Sequence, residues 1–125
     1  MGLDLIAKFS VVEKVNVDDS KDLFAPFLAT EEEIFLSFKN VRDKVIFTSY
    51  KIVCYDVQGL TGSKKEYRIF PYSKISSFSV ETAGFFDSDS DFKIWVSGVG
   101  VFEIKFAKRL DIKEVGSFMA GKISR

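Results

Sequence analysis

The sequence contains no histidine, one cysteine, two prolines and no net charge. Each shortage excludes something. Without histidine there is no Ser–His–Asp or Cys–His catalytic arrangement, and the usual zinc ligand set is missing. The single Cys54 cannot form an intramolecular disulfide, so nothing marks a secreted disulfide framework. It lies between Val53 and Tyr55 in an apolar run and reads as a small core residue, not a nucleophile. Lys and Arg total 18, and Asp and Glu total 18. The chain therefore lacks the basic footprint of a nucleic-acid binder. A net charge of zero also removes the repulsion that opposes self-association. No apolar run approaches the ~18 residues of a membrane helix. The first residues, Met1 to Lys8, lack a basic segment followed by a long apolar one. Cytoplasmic residence is the expectation.

What is present is apolar and aromatic. The 125 residues are 46% hydrophobic and 15% aromatic, with 14 Phe. That is enough for one packed domain over residues 1–125, burying roughly two-thirds of its unfolded surface. From about residue 32 to 106 the pattern alternates in short runs. Strands are expected at Glu33–Lys39, Lys44–Thr48, Lys51–Val57, Lys65–Phe70, Ile75–Glu81, Phe92–Val96 and Val101–Phe106. In the first, Ile34, Leu36 and Phe38 share one face, with Phe35 on the other. Glycines at 59 and 62, Pro71, and Gly98 with Gly100 punctuate the runs. Seven strands at this spacing predict a mainly β barrel or sandwich.

Residues 111–123 differ. Ile112, Val115, Phe118, Met119 and Ile123 fall on one helical face, and Asp111 with Glu114 resembles a capping box. One helix after a run of strands can bury that face only on the strands' inner side, as a plug. Residues 1–30 are read as a helical N-terminal extension. Leu3–Val12 carries apolar residues at Leu3, Leu5, Ile6, Phe9 and Val12, and a second short helix follows at Lys21–Ala25. Asp18, Asp19 and Ser20 supply its capping oxygens, and Pro26 limits it.

An ordered set of segments then resembles the bacterial pleckstrin-homology-like (PH-like) family. It comprises Val41-Arg42-Asp43 leading to Phe47-Thr48, Gln58-Gly59-Leu60-Thr61-Gly62, and Tyr67-Arg68-Ile69-Phe70-Pro71-Tyr72. Phe78-Ser79-Val80-Glu81-Thr82-Ala83-Gly84 and Lys93-Ile94-Trp95-Val96-Ser97-Gly98 complete it. The resemblance implies two near-orthogonal antiparallel sheets, seven strands in all, closed by a C-terminal α-helix. It also implies a homo-oligomer, ring-like, with no settled biochemical activity.

Against that background the remaining candidates are few. Lys39, Arg42 and Lys44 flank a short turn and are candidate weak anion contacts, although so short a turn makes a poor headgroup cradle. Asp87-Ser88-Asp89-Ser90-Asp91 has carboxylates at alternate positions, as a calcium loop begins. Phe92 and Gly98 then stand where an EF-hand needs glycine and glutamate. It is read as a solvated turn. Lys64, Lys65 and Arg68 form the densest basic cluster, expected to be an exposed edge or an intersubunit ion-pair surface. Phe85, Phe86 and Trp95 are the candidate interface, being large aromatics in a polar loop or on a strand's outer face. The sequence thus predicts a non-enzymatic, self-associating PH-like interaction or scaffold module without cofactor or metal. The alternative is a barrel that binds a lipid, a small apolar ligand or a peptide. A protein or peptide partner fits either reading; nucleic acid and membrane do not.

Overall fold

The computed structural model describes residues 5–123, with side chains from Phe9 onward. Its strands are β1 (Leu5–Val11), β2 (Glu13–Lys14), β3 (Ile34–Lys39), β4 (Lys44–Thr48), β5 (Lys51–Gln58), β6 (Lys64–Pro71), β7 (Ile75–Glu81), β8 (Asp89–Val96) and β9 (Gly100–Ala107). A four-residue helix α1 (Lys21–Phe24) sits between two 3-10 turns, Val17–Ser20 and Ala25–Phe27. The closing helix α2 spans Ile112–Ile123. The strands form a four-stranded sheet, β1-β9-β8-β7, and a five-stranded sheet, β2-β3-β4-β5-β6.

Period-2 alternation decides which side chains meet between the sheets. Leu36, Phe38, Val45, Phe47, Ile52, Cys54 and Phe70 face Phe92, Ile94, Phe102, Ile104 and Phe106 in one buried cluster. Edge-to-face ring pairs cross the gap, Phe38 with Phe106 at 5.0 Å and Phe47 with Phe92 at 5.9 Å. The helix closes this core as the sequence indicates. Ile112, Val115 and Met119 are buried, and Phe118 touches Phe47 and Tyr72. Gly116 lets α2 approach β7, since a Cβ there would come within 3.3 Å of Val80.

All seven expected strands are present, and the differences have physical reasons. The expected N-terminal helix at Leu3–Val12 is, over its described part, the strand β1, which pairs in parallel with β9. A helix this short is marginal alone, whereas the edge of β9 offers a full row of backbone partners. Burial follows the strand period. Val11 is buried and Val12 exposed, the reverse of the helical reading. Leu3 lies outside the described residues. The second helix is capped differently: Asn16 accepts from the Asp18 N–H, while Ser20 makes no cap and instead bonds Ser37 at 2.6 Å in the interior. In β3 a bulge between Ile34 and Leu36 breaks the alternation. Ile34 therefore turns to the outer cluster, while Phe35 reaches Phe118 of α2 at 5.7 Å. Strand β8 starts at Asp89, inside the stretch read as loop, because the Ser90 side chain is buried and accepts from the Ala83 N–H. The capping box is half formed. Asp111 accepts from the Lys113 N–H at 3.1 Å, but Glu114 pairs with Lys14 of β2 at 2.9 Å.

The outer face of the five-stranded sheet is covered too. Phe24 is buried with Ile34, Ile46, Val53 and Tyr55, and Val17, Leu23, Leu28 and Tyr67 pack around them. The segment between β2 and β3 is thus a second layer of the fold and not an appendage.

Candidate protein-interaction surface

The connection between β7 and β8 carries the most exposed aromatic side chains of the described residues. Phe85 and Phe86 are 87% and 95% exposed, and their rings meet edge-to-face at 4.9 Å. The backbone beneath them is pinned. The Asp87 N–H donates to the Gly84 carbonyl at 3.2 Å, and the Asp87 carboxylate accepts from the Gly84 N–H at 2.8 Å. The Lys108 ammonium donates to the carbonyls of Gly84 and Phe85 at 3.1 and 3.2 Å. A Cβ at Gly84 would sit 2.9 Å from the Asp87 carboxylate, so a side chain here would push that carboxylate off the Gly84 N–H. The turn therefore presents two aromatic rings on a fixed base. Its Lys108 staple comes from beyond β9, and no local sequence signal announces it.

Beside the turn lies an open polar cleft of about 370 Å³, lined by Glu81, Asp87, Asp89, Asp91 and Lys105 among others. The Lys105 ammonium bonds Asp91 at 3.0 Å and Glu103 at 3.3 Å. The Asp91 bond first, then the Glu103 bond, raises the Lys105 pKa above its ordinary value against the opposing effect of burial. Among the described residues no group of three or more acidic, Cys or His side chains is arranged to hold a metal ion.

Trp95 does not join the phenylalanines. It is half-buried near the far end of β8, in register with Ser77 and Val101. Six residues of strand, roughly 20 Å, separate it from Asp89.

Lys39, Arg42 and Lys44 surround the β3–β4 turn, but they do not converge. Lys39 and Lys44 are opposite one another in register, and the Lys44 ammonium lies 5.8 Å from the Tyr55 ring centre. Arg42 donates to the Gly59 carbonyl at 2.6 Å, tying this turn to the β5–β6 loop. The Arg42 and Asp43 N–H groups, which could have cradled a phosphate, both donate to the Asn40 side-chain oxygen at 2.8 Å. The tied loops project Val41, 97% exposed, and Leu60, fully exposed. In the basic cluster, Lys64 and Lys65 are exposed, whereas Arg68 pairs with Glu66 at 3.2 Å and lies over Phe102.

The perturbed groups of the interior are structural. Cys54 is buried, and that burial pushes its thiol pKa well above the ordinary value. Burial likewise raises the Tyr72 phenol, which donates to the Thr48 carbonyl at 2.7 Å. Burial disfavours the Glu32 anion. The opposing hydrogen bonds from Lys51 at 2.5 Å, from the Thr48 hydroxyl and from the Ala29 N–H prevail and hold the carboxyl below its usual range.

Comparison with known proteins settles the family. The bacterial PH domain family matches residues 4–123. The chain belongs to that family. This bacterial PH domain resembles a DUF1696 family protein with a pleckstrin-homology domain from Shewanella loihica PV-4. The TM-score is 0.81 at 32% identity, covering 88% of this chain and 95% of that one. A pleckstrin homology domain from Shewanella amazonensis SB2B gives a TM-score of 0.72 at 34% identity, over 87% and 89% of the two chains. Among sequence relatives, the uncharacterized protein YjqA of Bacillus subtilis is 50% identical over 74 residues, 59% of each chain. The uncharacterized protein YozO of the same organism is 37% identical over 98 residues, 78% of this chain and 82% of its own. The chain thus spans 59% of YjqA and most of YozO. No described helix is long and apolar enough to cross a membrane.

Proposed function

We propose that this bacterial PH domain is a non-enzymatic, self-associating interaction module that works as a ring-like homo-oligomer in the cytoplasm. The observation that carries the reading is the pinned Phe85–Phe86 turn. Two adjacent aromatic rings held almost wholly in water are rare on a monomer's surface unless something covers them, and a rigid base lowers the entropy lost when they are covered. Interfaces favour aromatic anchors surrounded by polar groups, as these are. The absence of histidine and the inert, buried Cys54 support a non-catalytic role. Trp95 is the second candidate contact, on a separate face. Light scattering behind a sizing column tests the proposal: the wild type should elute as an oligomer, and Phe86→Asp should shift it toward monomer with its thermal midpoint little changed. Trp95→Ala should likewise weaken assembly more than folding. A monomeric wild type at high protein concentration would refute the reading.

A further inference from the structure

Every open sheet ends in two edge strands, and each turns a row of backbone N–H and C=O groups away from the sheet. Proteins guard such edges with short strands, lysine or proline. Here β2 is two residues long, β6 carries Lys64, Lys65 and Arg68 and ends in Pro71, and β1 carries Lys8. Strand β7 has no such guard. Its seven residues include no lysine, arginine or proline, and Ile75 to Val80 are all uncharged. It pairs with β8 alone. Among the described residues, no turn, loop or helix backbone bonds the backbone of residues 76–81.

The helix α2 runs beside this strand. Val80 packs against Gly116, and toward the start of β7 an open trough of about 330 Å³ lies between the two elements. Ser76, Ser77, Phe78, Ala120 and Ile123 line it. Phe78 and Ile123 give it an apolar floor, and both are partly buried against the core. Residues 115–121 of α2 carry no charge either, in a chain that is 29% charged. A charged segment would lose its hydration in the trough and gain no partner there. A folded partner, a second copy included, brings roughly 20–30 residues a side to a stable interface. Only five residues line this trough, which is the scale of a single extended segment. Free backbone groups beside an apolar trough match the way sheet edges take up such segments: the main chain supplies hydrogen bonds, and alternate side chains fill the trough.

We infer that β7 takes up an uncharged, extended segment of another protein as an added strand of the four-stranded sheet. Apolar side chains at alternate positions of that segment seat against Phe78, Ala120 and Ile123. The seven residues of β7 set the length of the contact at about 23 Å. The trough starts at the end of β7 remote from the Phe85–Phe86 turn, so this site stands apart from self-association.

Phage-displayed random peptides, matched in length to the seven residues of β7, are the probe. The wild type and Phe86→Asp both serve as bait, so the oligomeric state does not decide the outcome. Enrichment of uncharged sequences with apolar residues at alternate positions is expected. A synthetic peptide of the enriched sequence should bind both proteins by fluorescence anisotropy. Ala120→Glu places a charge in the trough and should weaken binding by about tenfold or more. Should that variant lose the native melt, Ser77→Lys tests the same trough, and both positions are exposed. Backbone pairing has its own signature, because a strand pairs along one edge. Methylating the amide nitrogens of alternate peptide residues should abolish binding in one set and spare it in the other. No enrichment, enrichment of charged sequences, unchanged affinity in the folded variant, or equal effects of the two methylation sets each overturns the inference. None of these outcomes bears on self-association, and a Phe86→Asp protein as oligomeric as the wild type overturns that reading while leaving this one intact.

Discussion

Removing α2 should abolish the folded state. Ending the chain at Leu110 deletes Ile112, Val115 and Met119, all buried, and the partly buried Phe118 and Ile123. Full burial of a side chain of this kind is worth about 1.5–3 kcal/mol. The three buried residues alone therefore contribute roughly 5–9 kcal/mol, an upper estimate because unfolded chains already hide some surface. The truncation also uncovers Phe47 and Tyr72, which Phe118 shields. Net stabilities of domains run to only about 5–15 kcal/mol, so the loss matches most of what holds the molecule together. Circular dichroism with thermal melting is the assay, and no cooperative transition is expected. Met119→Ala provides the graded control, with a loss of about 2–5 kcal/mol from the cavity it leaves. A cooperative melt of the truncation would show instead that the two sheets close without the helix.

Three further predictions concern single side chains. The Glu32 carboxyl is held below its ordinary 4.5, so the stability it confers is complete above that pH and is lost as the pH falls through the folded value. Glu32→Gln should cost about 1.5–3 kcal/mol at neutral pH and flatten the acid limb of the stability profile; an unaltered limb in urea titrations would contradict this. Cys54 should resist Ellman's reagent in the native state and react only as the protein unfolds; prompt labelling would place it at the surface. Gly84→Ala should break the bond to Asp87 and loosen the aromatic turn. It should weaken self-association while the thermal midpoint stays near that of the wild type, and sedimentation alongside melting separates the two effects.

The seven antiparallel strands and the closing helix are readable in the sequence because their apolar residues keep a single period over the whole element. Where two readings fit the same residues, the fold decides. Leu5, Ile6, Phe9 and Val12 match a helical stripe, but Phe9 and Val11 also match a strand, and the open edge of β9 selects the strand. A bulge such as that at Ile34 to Leu36 leaves no local mark, yet it moves Ile34 to the other face. The second apolar layer did leave a signal: Val45-Ile46-Phe47 and Ile52-Val53-Cys54-Tyr55 are unbroken runs, which indicates strands buried on both faces. Of the candidate site, the phenylalanines' exposure could be anticipated from their polar neighbours. The staple from Lys108 and the link from Arg42 to Gly59 join residues 17 or more positions apart and exist only in the folded molecule.

Self-association through the Phe85–Phe86 turn is the proposal on which the function of this bacterial PH domain rests. Its most direct test is the molar mass of the wild type and of Phe86→Asp by sedimentation equilibrium over a wide concentration range. An oligomer is expected for the wild type and a monomer, or a much weaker oligomer, for the variant, with both showing the same native melt. Equal masses for the two proteins, whether both oligomeric or both monomeric, would contradict it.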